Sequence, residues 1–231
     1  MNRALLGVAL LVAAAAVAVS LYVAGHPYIP EDATIENDVQ ATNWGPLALT
    51  FQIFSWIGDA KGFGLEVVIF VAILIFNRRT WIVAAVAAVS AGWYALIAHL
   101  IIRPRPATPL VLHVTEHPGA SSYPSGHTIF IVTVVAVLML CFGYRFLPRL
   151  WLWVGWALAA LIVAANAIAR MYTGAHWPSD VLGGILIAVA WVTFVVSFRF
   201  VSQRVVSASP VRRPVPSAPR SPERPAEQAG G

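Results

Sequence analysis

Charged residues are what this sequence is shortest of. Asp, Glu, Lys and Arg make up 11% of its 231 residues, where a soluble domain carries about 25%. With 59% of the residues hydrophobic, there is too little polar surface to cover a globule in water, and a soluble fold is excluded. Cysteine is almost absent as well. The single Cys141 lies inside an apolar run, so no intramolecular disulfide can form and cysteine says nothing of redox compartment. No internal repeat is visible, and the length suits one helical bundle without a second globular domain.

What is present is a series of apolar runs near membrane-spanning length, about 20 residues each. The first, 4–24, lies behind Arg3 and gives a first transmembrane helix over 1–24. It is long for the core of a cleaved signal peptide, so a retained helix is expected. Residues 25–61 are mixed and read as an outer loop, with Glu31, Asp32, Glu36 and Asp38 making its first half acidic and solvated. Trp44 to Trp56 reads as a short interfacial helix ended by Gly58-Asp59. A helical core over 62–202 then supplies five more spans, at about 62–76, 81–102, 126–142, 150–168 and 180–200. The tail, 203–231, holds six prolines among Ser and Arg and is expected to be disordered. The fold class is therefore all-α: a polytopic membrane protein of six transmembrane helices in one bundle.

Arginine placement orients it. With the N-terminus in the cytoplasm, the inner side receives Arg3, Arg78, Arg79, Arg145, Arg149 and the six arginines from Arg199 onward, 11 of 15 basic residues. Both termini are then cytoplasmic in a plasma-membrane protein. Arg103, Arg105 and Arg170 lie outside against this bias, all at span ends, on the face where Ser125 to His127 open the fourth span and His176 and Asp180 the sixth. One outer arginine is ordinary interfacial snorkelling. Three beside two histidines form a candidate site at the outer face.

The centre of that site is Ser122-Tyr123-Pro124-Ser125-Gly126-His127-Thr128. Pro124 makes a turn, Ser125 is a good N-cap, and the first N–H groups of a helix attract anions. Guanidinium groups suit phosphate oxygens, with a carboxylate or sulfate as the alternative ligand. His176 and Asp180, four apart, can share a helix face, the carboxylate fixing the imidazole tautomer so that the other ring nitrogen is nucleophilic. His127 can act as general acid toward the leaving oxygen. Together these residues describe phosphoryl transfer through a phosphohistidine, without a metal or other cofactor because the arginines balance the charge. A metal site from His113, His117, His127 and His176 is the alternative, disfavoured by the surrounding arginines. Gly183-Gly184 reads as a close helix contact and the tryptophans near span ends as an aromatic belt.

The order Arg105-Pro106, Pro124-Ser125-Gly126-His127 and Arg170-x5-His176-x3-Asp180 resembles the three motifs of the type 2 phosphatidic acid phosphatase superfamily. The resemblance covers about 60–200. It implies His176 as nucleophile, Asp180 as its orienting carboxylate and His127 as acid for the leaving group. It also implies that Arg105, Arg170, Ser125 and the backbone of Gly126 hold the phosphate. Two positions depart from the pattern. Ala98 stands where the first motif has a lysine, with Arg103 or His99 nearby as candidates to compensate, and Ala169 stands where a serine precedes the third-motif arginine. The expected activity is hydrolysis of a lipid phosphate or diphosphate, of polyprenyl diphosphate or phosphatidic acid type, drawn from the outer leaflet. A lipid phosphotransferase or a weakened lipid-phosphate-binding protein are the alternatives. Expected partners are membrane lipids, and no nucleic acid.

Overall fold

The computed structural model describes residues 1–58, 60–116 and 119–207, and every regular element among them is a helix. His117 and the tail from residue 208 on lie outside the described residues. In chain order the helices are α1 (Arg3–Gly25), α2 (Pro30–Ala41), α3 (Ala48–Gly58), α4 (Ala60–Asn77), α5 (Trp81–Ala88), α6 (Ser90–Leu100), α7 (Gly126–Leu138), α8 (Tyr144–Phe146), α9 (Arg149–Tyr172), α10 (Pro178–Ser197) and α11 (Arg199–Ser207). The last carries regular structure past residue 202, where the sequence reading ended the core.

Among the described residues, five stretches are long and apolar enough to cross a membrane: Arg3–Gly25, Gly64–Leu100, Gly126–Phe146, Arg149–Tyr172 and Pro178–Ser197. The second, at 37 residues, is bent back on itself. Asn77 leaves the helical region (φ −151°, ψ 54°) and a 3₁₀ turn, Arg78–Thr80, follows. Ile69 and Ile73 of α4 then pack with Val83, Ala84 and Ala87 of α5. Many large apolar side chains point outward, among them Leu10, Leu11, Leu150, Trp151 and Trp153. Such a surface is at rest only in a lipid-like medium.

The bundle is built around α7, whose residues from His127 to Val137 are nearly all buried. α1 runs antiparallel along α10: Asn2 N–H donates to the Ser197 carbonyl (2.7 Å), while Ala16 packs with Ile187 and Ala188. Asn2 also caps α1, its side-chain oxygen accepting from the N–H groups of Ala4 and Leu5. Beyond α7 a π-helical turn, Met139–Gly143, loosens the backbone ladder. The buried Asn77 amide donates to the Cys141 carbonyl there (2.6 Å), tying the α4–α5 bend to the end of the central helix. The first turn of α7 and the junction of α9 with α10 meet at one end of this bundle.

Candidate active site

Ser125 caps α7 as its sequence position requires, its hydroxyl accepting from Thr128 N–H (3.4 Å) and from the Thr128 hydroxyl (2.9 Å). Asn166 of α9 adds an N–H to the Thr128 oxygen (3.1 Å). The Ser125 side chain is fully buried in this cap. Ser125 N–H donates to the Asp180 carbonyl (3.1 Å), pinning the corner to α10. The fit needs the glycine pair of α10: a Cβ on Gly183 would stand 2.5 Å from the Tyr123 hydroxyl oxygen, and one on Gly184 2.9 Å from the Ser125 carbonyl.

His176 reaches the corner from the loop that closes α9. Gly174 turns that loop at φ +70°, and a Cβ there would lie 2.7 Å from the His113 carbonyl, so glycine is needed on both counts. His176 Nδ1 lies 2.7 Å from the Ser122 carbonyl. A carbonyl only accepts, so Nδ1 carries the hydrogen and Nε2 keeps its lone pair. Burial lowers the imidazole pKa, with the Arg105 charge adding to it against the opposing pull of Asp180 and Ser122, and the neutral ring is favoured.

Asp180 stands farther off than the i, i+4 spacing suggests, with Oδ2 3.9 Å from His176 Nδ1. The direct partner of the ring is the Ser122 carbonyl. Asp180 Oδ2 instead accepts from Trp177 N–H (2.9 Å), helping to start α10 behind Pro178. Its Oδ1 accepts from Arg103 (2.5 Å), and Arg103 also donates to Asp32 (2.7 Å), to the Ser179 hydroxyl (2.8 Å) and to the Pro27 carbonyl (2.9 Å).

A cavity of about 220 Å³ brings the predicted groups together, with Arg105, Gly126, His127 and His176 in its wall beside Glu66 and Tyr94. Arg105 is fixed by the carbonyls of Ala175 (2.6 Å), Ser121 (2.6 Å) and Gly119 (2.8 Å), and its guanidinium lies 3.5 Å from His176 Nε2. Arg170, unlike the half-buried Arg105, is fully buried, and it donates to Glu116 (2.8 Å) and to the Ser55 hydroxyl. Thus two histidines, one guanidinium and a helix N-terminus face one space, while Asp180, Ser125 and Arg170 stand behind it. Of the two residues placed to compensate for Ala98, Arg103 is committed to carboxylates, and His99 lines a separate cavity of about 390 Å³ on the far side of Tyr94 and Arg105. Among the described residues no three His, Cys, Asp or Glu side chains are grouped to hold a metal ion.

A profile of the PAP2 superfamily matches residues 79–204, more than half of the chain. The chain belongs to the PAP2 superfamily. It is 27% identical over 146 residues to the undecaprenyl-diphosphatase of Sulfolobus acidocaldarius, covering 61% of this chain and 63% of that one. It is 34% identical over 110 residues to the decaprenylphosphoryl-5-phosphoribose phosphatase of Mycobacterium tuberculosis, covering 47% of this chain and 55% of that one. The PAP2 chain thus spans less than two thirds of the length of these curated relatives. The crystal structure of the transmembrane PAP2-type phosphatidylglycerolphosphate phosphatase from Bacillus subtilis shares its fold, with a TM-score of 0.66 at 18% identity over 82% of this chain and 93% of that one. The apolar helices and these PAP2 membrane relatives together make it a multi-pass membrane protein.

Sequence reading missed several groups at the PAP2 site. Asp32 and Glu36, taken as solvated, are buried. Both lie on one stripe of α2 with Gln40, whose amide donates to the His113 and Met171 carbonyls (2.9 and 3.1 Å). The spacing 32, 36, 40 was the available signal. Among the described residues neither carboxyl oxygen of Glu36 has a hydrogen-bond partner. Burial, then the charges of Asp180 and Asp32, raise its pKa from 4.5 to about 9 against the pull of Arg103. A carboxyl raised in the folded state stabilises the fold fully only below its unfolded pKa. Stability is expected to fall by about 3 kcal/mol from there to pH 7, and to fall further until pH about 9. Glu36→Gln removes this titration. Melting curves in detergent between pH 5 and 9 should decline for the wild type and stay flat for the variant, which becomes the more stable above neutrality. Parallel curves would show that Glu36 does not titrate in the folded protein.

Proposed function

We propose that this PAP2 protein is a membrane phosphatase that releases phosphate from a lipid phosphate or diphosphate. The observation that carries the reading is the single cavity into which His127, His176, Arg105 and the start of α7 all face. His176 Nε2 attacks phosphorus, and the bond from phosphorus to the leaving oxygen breaks. Arg105 and the first N–H groups of α7 hold the phosphoryl oxygens, helped by the dipole of that helix. His127, as imidazolium, gives its proton to the leaving oxygen. Neutral His127 then takes a proton from water as that water attacks phosphorus, and the P–N bond breaks to free phosphate and neutral His176. The charge of the phosphoryl group is met by arginine, so the reaction runs without a metal.

An amphiphilic substrate is supported by the neighbouring space. An apolar cavity of about 320 Å³, between α4, α5 and α7, shares Glu66 with the histidine cavity. A phosphate held by Arg105 would leave its hydrocarbon toward that groove. Counting the two arms of Gly64–Leu100 as separate crossings supports six spans, and the arginine bias supports a site at the outer face of the plasma membrane, with substrate entering from the outer leaflet.

The test is phosphate release by purified protein in detergent, with polyprenyl diphosphate, phosphatidic acid and lysophosphatidic acid as substrates and a chelator present. Release from at least one lipid, unchanged by chelation, is expected. Loss of all activity on metal removal would overturn the metal-free mechanism, and no release from any lipid phosphate would overturn the function.

A further inference from the structure

The catalytic cavity has polar lining that the mechanism above leaves unused, and Tyr94 is the part of it set against the start of α7. Tyr94, on α6, stands one turn after Ser90, whose hydroxyl meets the Thr133 hydroxyl of α7 at 3.1 Å. That contact fixes the face of α6 turned to α7. The Tyr94 ring therefore lies against the first residue of α7. A Cβ built on Gly126 would stand 2.9 Å from Tyr94 Cε2 and 3.1 Å from Cζ. Cζ is the carbon that bears the hydroxyl, so the phenol end of the ring abuts the helix start. Any larger residue at 126 would push it away.

Tyr94 is not core filling, being 38% exposed. It lines the catalytic cavity with His127 and His176, and it also lines the outer cavity with Ala98 and His99. Arg105 is the other residue common to both. The phenol and the guanidinium thus form the partition between the place where phosphate would be held and the space beyond. On the phosphatase reading, Arg105 and the N–H groups of α7 hold the phosphate from two sides. A tyrosine hydroxyl, able to donate to a phosphate oxygen, completes a third side, where Ala98 on the same helix brings no donor.

Resting on the phosphatase reading, we infer that Tyr94 is a phosphate-binding residue whose hydroxyl donates to the substrate phosphoryl group beside Arg105.

The decisive variant is Tyr94→Phe, which keeps the ring and the partition and removes only the donor. Two quantities are compared with wild type: the dissociation constant of inorganic phosphate, read by calorimetry, and the KM and kcat for a soluble aryl phosphate. Loss of a hydrogen bond to a charged group should weaken phosphate binding about tenfold and raise KM by a like factor, with kcat within about twofold and the melting temperature unchanged. Wild-type phosphate affinity and KM in Tyr94→Phe would overturn the inference, because a ring that only packs is indifferent to its hydroxyl. Two controls keep the claims apart. Turnover surviving in His176→Ala would defeat the phosphatase mechanism whatever Tyr94 does, and an inactive His176→Ala beside an unaltered Tyr94→Phe would defeat only the role of Tyr94. Phosphate binding is read without turnover, so it tests Tyr94 even in a protein that hydrolyses none of the substrates offered.

Discussion

His176→Ala is expected to lower phosphate release by at least about a thousandfold while leaving the fold intact, since removing the nucleophile from a covalent mechanism costs on the order of 10⁶ in kcat in well-studied hydrolases. The expectation comes from what His176 contacts. Its Nδ1 hydrogen is taken by the Ser122 carbonyl at 2.7 Å, so the ring is aimed by backbone. Its other nitrogen faces Arg105 at 3.5 Å, where a phosphoryl oxygen would be drawn. Alanine removes the proposed attacking atom but little of the frame. The loop that carries His176 is held by its own backbone, with Ala175 N–H donating to the Arg170 carbonyl (3.1 Å) and Thr115 N–H to the Thr173 carbonyl (2.9 Å). Melting in detergent should therefore change little. Labelled substrate, quenched in base where phosphohistidine survives, should leave phosphate on the wild type and none on the variant. Turnover within tenfold of wild type would show that another group attacks phosphorus.

How much of this was legible in the residues depends on the kind of atom involved. The corner at Ser125 to His127 was visible because each letter has one strong local habit: a turn, a cap, a glycine against another surface. The pairing of that corner with His176 followed from topology, since alternate helix ends must fall on the same side. The partner of His176 was not visible. It is a backbone carbonyl at Ser122, and carbonyls are alike in every residue. Spacing pointed instead to Asp180, which lies 3.9 Å away and serves the helix start. Asp32 and Glu36 were misread for a different reason. A short acidic helix looks solvated until the arginine that covers it is known, and Arg103 lies 71 residues from Asp32 along the chain. Glu116 and Ser55, which hold Arg170, join three distant segments and leave no periodic trace. Tyr94 gave no signal of its own within the third apolar run, and only its contact with Gly126 sets it apart.

Arg103→Met should be the most destabilising single change at this end of the bundle. Arg103 is 1% exposed and bridges Asp32 and Asp180, themselves 4% and 0% exposed. Removing the cation leaves two buried carboxylates facing each other, with Glu36 close by. Breaking a buried pair from one side costs about 3–5 kcal/mol, and for a chain of this size that corresponds to a fall in melting temperature of roughly 10 °C. Surface pairs are worth about 1 kcal/mol or less, so Arg103 should stand well apart from Arg145 or Arg149 in the same assay. Arg103→Lys keeps the charge but loses the planar fork that reaches Asp180, Asp32, Ser179 and Pro27 together, and should fall between. The penalty is one of uncompensated charge, so it should shrink as the medium is acidified toward the range where carboxyls protonate, about pH 4. A penalty unchanged by acid would point to lost packing against Trp177, whose ring lies 5.7 Å from the guanidinium, in place of lost charge. Activity separates the two further. Asp180 starts α10, and its main-chain carbonyl holds Ser125 N–H. Once Asp180 is released, the α7 corner and the His176 loop lose their common anchor, and kcat should fall even at temperatures where the variant remains folded.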